Sequence, residues 1–192
     1  MPRLLALALL ISLAPFARAA DNGAATAPAP AEERFPKDTW ALDLTGSYVT
    51  PVRFSENRFY NSTLTVEHYL ADRFSLGMQL EGYYTEQPSG DDTVLGGIGL
   101  TLRYHFYESG KFSFFGDAAG SATMAEDEVP DYGTHFNWTG KLGLGGTWQL
   151  ADHTFLIGGA RFFHLSNAQV HGRDQNPSFD GIQYWAGLMW TW

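Results

Sequence analysis

The chain has 192 residues, 21 of them acidic and 12 basic, for a formal charge of -9, and it contains no cysteine. The missing cysteines exclude disulfides, thiolate metal sites and a cysteine nucleophile, and an acidic balance without any Lys/Arg cluster excludes a nucleic-acid partner. With 15% aromatic residues, 21 glycines, only 17% charged residues and no sustained helical stripe, neither a disordered chain nor a helical bundle fits.

The first segment has the layout of a secretory signal peptide. Arg3 supplies a basic start, Leu4 to Leu13 an apolar core, and Ala17-Arg18-Ala19 the small-x-small pattern before cleavage, so residues 1–19 are expected to be removed. The apolar stretch is too short for a spanning helix. Residues 20–38 follow as an Ala/Pro-rich tether without strand or helix period, expected to be extended.

From Thr39 to Trp192 the period is two. Alternation begins at Trp40, Leu42 and Leu44. It returns over Phe59 to Leu70, Phe74 to Tyr84, Val94 to Tyr107, Phe112 to Met124, His135 to Leu150, Thr154 to Ser166 and Gly181 to Trp192. These eight segments predict an all-β fold, an eight-stranded antiparallel barrel over 39–192. Short turn signals lie at Leu70 to Arg73, Glu108 to Lys111 and Ala151 to His153. Longer polar connections lie at 87–92, 125–133 and 169–180. Short turns at one end and long loops at the other are the layout of an outer-membrane β-barrel.

Strand length, aromatics near strand ends (Phe59-Tyr60, Tyr83-Tyr84, Tyr104 to Tyr107, Tyr184-Trp185) and the aromatic C-terminus Trp192 point to a barrel that spans lipid. Asp43, Glu67, Gln79, Glu81, Arg103, Lys141 and Arg161 are the expected polar filling, which leaves no room for an open pore in eight strands. A soluble ligand-binding barrel would need the reverse, an apolar inside and a polar outside. The expected location is the bacterial outer membrane, crossed several times, with insertion by the barrel-assembly machinery.

Chemistry is concentrated at the end of the seventh segment, Ala160-Arg161-Phe162-Phe163-His164-Leu165-Ser166-Asn167-Ala168. A period of two puts His164 and Ser166 on one face with Phe162 and Ala160, their Cα atoms about 6.6 Å apart. A histidine is the usual base for a serine hydroxyl, and a polar pair on a lipid-directed face is costly without partners. By itself His-x-Ser is also compatible with a structural or interfacial pair.

The run Arg161 to Ala168, continued by Asn176-Pro177 and Asp180-Gly181-Ile182, resembles the signature of the PagL family, outer-membrane lipid A 3-O-deacylases. The resemblance implies an eight-stranded barrel that removes an ester-linked hydroxyacyl chain from lipid A in lipopolysaccharide, without a metal or other cofactor. It implies Ser166 as nucleophile, His164 as general base, and Asn167 with neighbouring backbone N–H groups as holders of the oxyanion.

The third position departs from the family pattern. An orienting Glu is expected in a run resembling Asp-Gly-Ile-Glu, and here that run ends in Gln183. A neutral amide can fix the imidazole tautomer but cannot stabilise an imidazolium by charge. Asp180 or Asp174 is the alternative acid, although counting three residues back from Gln183 puts Asp180 on the opposite face unless the loop turns. Gln169 stands where relatives often carry glycine, and its bulk is expected to narrow the oxyanion region. His171 and Arg173 lie in the loop above the site, as ordinary loop residues or as phosphate contacts. The acidic run Glu126-Asp127-Glu128 reads as a solvated loop or a cation-binding one. Two other readings stay open on the residues alone: a non-catalytic structural or loop-binding barrel, and a narrow transport or sensing barrel. Oligomeric state is not legible.

Overall fold

The computed structural model describes residues 33–52, 56–170, 172 and 176–192. The expected signal peptide and residues 20–32 of the tether lie outside the described residues, as do His171, Arg173 and Asp174. Eight strands follow in chain order: β1 (Trp40–Pro51), β2 (Arg58–Ala71), β3 (Phe74–Glu86), β4 (Thr93–Ser109), β5 (Phe112–Val129), β6 (Thr134–Ala151), β7 (Thr154–Ser166) and β8 (Phe179–Thr191). Each pairs antiparallel with its chain neighbours, and β8 pairs with β1 to close the barrel. The closure includes Trp192, whose N–H and C=O exchange hydrogen bonds of 3.0 Å with Trp40. No edge is left to be satisfied by solvent or lipid.

Strands of 12 to 18 residues exceed the 9 to 11 or so that a tilted strand needs to cross a bilayer. Their alternation is apolar outside and mixed inside. Leu44, Met78, Leu80, Ile98, Leu100, Leu142 and Leu144 are all more than half exposed on the outer wall, the arrangement of a lipid-facing surface. Four tyrosines, Tyr184, Tyr48, Tyr60 and Tyr84, fall in one register row across β8, β1, β2 and β3 and face outward as an interfacial belt. Their sequence neighbours Phe59, Tyr83 and Trp185 point inward and are buried, so the expected aromatic girdle is split between the two faces by the pleat.

The interior has three layers. A belt of ion pairs joins Arg103 to Asp43 and Glu67 at 2.9 Å each, Arg161 to Asp117, and Lys141 to Glu81. Arg161 also stacks over Trp185 at 4.2 Å. An apolar cluster lies on each side of that belt, one containing Phe59, Phe163, Leu165 and Phe179, the other Phe115, Phe155, Ile157 and Met189. Gly143 makes space for this filling, since a Cβ there would fall 2.7 Å from Arg161 Cγ.

Phe35, in the last part of the expected tether, packs into the second cluster. Phe35 is fully buried against Tyr69, His105 and Phe155, and its carbonyl accepts the Arg73 N–H at 2.8 Å. The expected loop 125–133 is shorter than the composition suggested. β5 runs to Val129 through an irregularity after Met124, and Glu126, Asp127 and Glu128 are exposed on that strand extension. The tight β2–β3, β4–β5 and β6–β7 turns share one end with both ends of the barrel sheet. The β1–β2, β3–β4, β5–β6 and β7–β8 connections share the other, which is the extracellular end in barrels of this layout.

Candidate active site

β7 carries Ala160, Phe162 and His164 outward in alternation, then ends at Ser166. Across β8 the outward set is Asp180, Ile182, Tyr184 and Ala186, and the register pairs His164 with Asp180 and Phe162 with Ile182. Directly paired residues share a face, so Asp180 meets the imidazole from the neighbouring strand. His164 Nδ1 lies 2.7 Å from Asp180 Oδ1, and His164 Nε2 lies 3.0 Å from Ser166 Oγ. The imidazole side chain is 41% exposed and Ser166 only 9%.

The chemistry of these contacts assigns their direction. A carboxylate only accepts, so Nδ1 carries the proton toward Asp180, leaving Nε2 as acceptor for the Ser166 hydroxyl. The result is a continuous chain, Ser166 O–H to His164 to Asp180, on the lipid-facing wall at the extracellular end.

The expected positions of 180 and 183 are reversed. Gln183 is 1% exposed inside the barrel, opposite Arg161 and Val49, and its Nε2 donates to Ser47 Oγ at 2.8 Å. It does not reach His164. The pleat is the reason: Ile182 and Tyr184 face lipid, so the residue between them faces in. The signal was present in β8, where apolar lipid-facing residues fall at even numbers and Asp180 continues the set.

Beyond Ser166 the chain turns sharply. Ala168 and Gln169 both have positive φ, 53° and 62°, and the Val170 N–H closes the turn on the Asn167 carbonyl at 3.2 Å. This backbone is the left-handed region that favours glycine. The Gln169 side chain is exposed, and its backbone N–H donates to Asn167 Oδ1 at 2.9 Å. Asn167 is 1% exposed, with its N–H on Asn176 Oδ1 at 2.9 Å and its Nδ2 on Thr134 Oγ1 at 3.2 Å. The alternation in the sequence carried no signal for Thr134, which lies 33 residues away on β6.

The lipid-facing wall beside the imidazole is bare. Gly140 pairs with His164, Gly120 pairs with Gly140, and a Cβ on Gly140 would meet nothing within 4 Å. Gly120, the partner of Gly140, lines a recess of about 640 Å³ together with Leu100, Leu102, Ala118, Ala122 and Trp138. Among the described residues no group of three or more His, Asp or Glu side chains is placed to hold a metal ion.

Comparison with known proteins points the same way. The model of the family PagL, lipid A 3-O-deacylase, matches residues 47–188. No curated protein matches the sequence. Among solved structures the chain resembles Neisserial surface protein A (TM-score 0.57, 15% identity, 79% of this chain and 95% of that one). It also resembles the outer membrane protein OprG from Pseudomonas aeruginosa (TM-score 0.53, 12% identity, 84% and 99%) and outer membrane protein W of E. coli (TM-score 0.54, 11% identity, 82% and 99%). At these identities the likeness is one of fold, an outer-membrane barrel.

Proposed function

The chain belongs to the PagL family of lipid A 3-O-deacylases, and from that premise we propose that it removes an ester-linked 3-O hydroxyacyl chain from lipid A, with Ser166 as nucleophile, His164 as general base and Asp180 as the orienting acid. The observation that carries this reading is the unbroken hydrogen-bond chain from Asp180 through His164 to Ser166 on a wall that otherwise faces lipid.

The lipid substrate approaches sideways in the outer leaflet of the bacterial outer membrane, its scissile acyl chain lying over Gly140 beside Phe162. Ser166 Oγ attacks the ester carbonyl carbon as its proton passes to His164 Nε2. Negative charge develops on the carbonyl oxygen in the transition state beside the turn at Asn167, one residue beyond the nucleophile; Asn167 gives its N–H to Asn176 and its Nδ2 to Thr134, and so shapes that turn. Asp180 stays ionised, holds Nδ1–H and stabilises the imidazolium. The imidazolium then protonates the departing sugar oxygen, leaving an acyl-enzyme. Water, deprotonated by His164, attacks that ester and releases the fatty acid.

An interior role for Gln183 removes the difficulty of a neutral orienting group. The family's missing carboxylate is supplied three residues earlier, with a side chain one methylene shorter than Glu. The test is mass spectrometry of lipid A from cells expressing the wild type beside a Ser166→Ala control that forms a heat-modifiable barrel. Loss of one hydroxyacyl mass in the wild type alone is the expected result. Unchanged lipid A from the folded wild type overturns the reading in favour of a non-catalytic barrel.

A further inference from the structure

We propose that the seam between β1 and β8 positions the acid of the ester-cleaving site, with Val52 and Gly181 as positioning residues that act through Asp180. The proposal rests on the reading above, in which Asp180 orients the imidazole of His164. Its evidence is how the main chain is fastened on both sides of one carboxylate.

Asp180 is the second residue of β8, just after the connection from β7, where a strand has the fewest neighbours to keep it from fraying. An aspartate carries its carboxylate on a single methylene, so it cannot make up for a displaced backbone as a longer glutamate can. The 2.7 Å contact between Asp180 Oδ1 and His164 Nδ1 therefore requires the β8 backbone itself to be held in place.

Three contacts hold it. The Val52 N–H donates to the Asp180 carbonyl at 3.1 Å. Pro51, which faces Gly181 in the register, has no N–H to offer, so the next donor of β1 is that of Val52. On either side of Asp180 the pleat turns inward. Phe179 is 1% exposed, with its ring 4.6 Å from that of Phe59. Gly181 lies close against β1, where a Cβ would fall 2.8 Å from the Thr50 carbonyl oxygen and 2.7 Å from Val49 Cγ1. A side chain can rotate away from such a contact, but a backbone carbonyl in the sheet cannot do so without parting β1 from β8. The carboxylate is thus carried outward between two inward anchors, and a slip of one residue would carry it into the barrel.

The experiment measures lipid A hydrolysis by the full-length protein refolded in detergent micelles, with heat-modifiable electrophoresis as the fold control. Val52→Pro removes the N–H, whereas Val52→Ala keeps it and trims only a side chain that is 49% exposed. Gly181→Ala disturbs the same seam from the other strand. Misplacing a catalytic group by about 1 Å costs on the order of 10²-fold, so Val52→Pro and Gly181→Ala are each expected to lower kcat about 10- to 10²-fold with KM unchanged. Val52→Ala is expected to keep kcat within about twofold of wild type. In an Asp180→Ala background, Val52→Pro is expected to change kcat less than about twofold, because the group it positions is already gone.

Three results overturn the proposal and leave the deacylase reading standing, with the Ser166→Ala control inactive. The first is a folded Val52→Pro or Gly181→Ala whose kcat lies within about twofold of wild type. The second is a Val52→Ala as slow as Val52→Pro, which would lay the loss on the side chain and not on the N–H. The third is a loss that persists undiminished in Asp180→Ala, which would mark the seam as merely structural. A folded wild type that cleaves no lipid A, or a Ser166→Ala variant as fast as wild type, removes the reading and the proposal together.

Discussion

Inside the barrel, Arg103 lies 2.9 Å from both Asp43 and Glu67, and none of the three is more than 2% exposed. On the outer wall, His164 lies 2.7 Å from Asp180 and 3.0 Å from Ser166, and its ring is 41% exposed. Both are three-membered polar groups with a nitrogen-bearing side chain between oxygen partners, yet they are built for different ends. The interior group is closed: two carboxylates meet one guanidinium, Ser75 adds a hydrogen bond to Glu67 at 2.6 Å, and Phe115 stacks beneath. The wall group is linear and ends in a neutral hydroxyl. A closed, dehydrated group gives a fixed structure, whereas a linear chain ending at a surface can pass a proton to or from something that arrives there.

The comparison makes its strongest claim at Ser166. Ser166→Ala is expected to lower the hydrolysis rate about 10⁴-fold or more without affecting barrel formation. Rate assays beside heat-modifiable electrophoresis check this, and turnover by the folded variant would erase the distinction between the two groups. Asp180→Asn keeps the shape of the wall chain but removes its charge; kcat is expected to fall about 10³- to 10⁴-fold, as for the corresponding change in a serine triad. A rate unchanged by that substitution would leave the imidazole without an electrostatic partner in Asp180.

The interior group should respond in stability instead. Arg103→Met leaves Asp43 and Glu67 buried without their cation, a change that costs about 3–5 kcal/mol where one partner of a buried ion pair is removed. Urea unfolding in micelles should show the lower midpoint, with the rate per folded molecule kept within about twofold. The smallest effect is expected at Gln183→Leu, which breaks the bond to Ser47 and costs about 1 kcal/mol. Its kcat should stay within about threefold of wild type, and Gln183→Glu should bring no gain. A large rate change in either would move Gln183 back toward the imidazole.

Most of the barrel is legible in the sequence, because a lipid-spanning sheet imposes one rule at every residue. Segments such as Phe74 to Tyr84 and Thr154 to Ser166 were bounded to within a few residues, since alternation and turn chemistry agree there. The interior ion-pair residues other than Asp117 were legible as a set of polar residues facing inward, though not as pairs. The His164–Ser166 pair was legible from spacing on one strand. Asp180 was within reach of the same rule, since Ile182, Tyr184, Ala186 and Leu188 mark the lipid-facing positions of β8. The family motif puts the orienter at Gln183, whose odd number gives it the inward parity.

The sequence by itself determined which residues alternate, where the short turns fall, and that a serine and a histidine share a face, all properties of neighbours along one strand. Tertiary structure alone decided that Asp180 lies across from His164 and that Thr134 reaches Asn167. The first depends on the register of β8 against β7 after the connection between Ser166 and Phe179, and no local pattern sets how that connection returns. The second joins residues 33 apart through the tip of another hairpin, where the backbone leaves the pleat at Ala168 and Gln169. Alternation describes a strand, but where strands end, partners are chosen by the closure of the barrel.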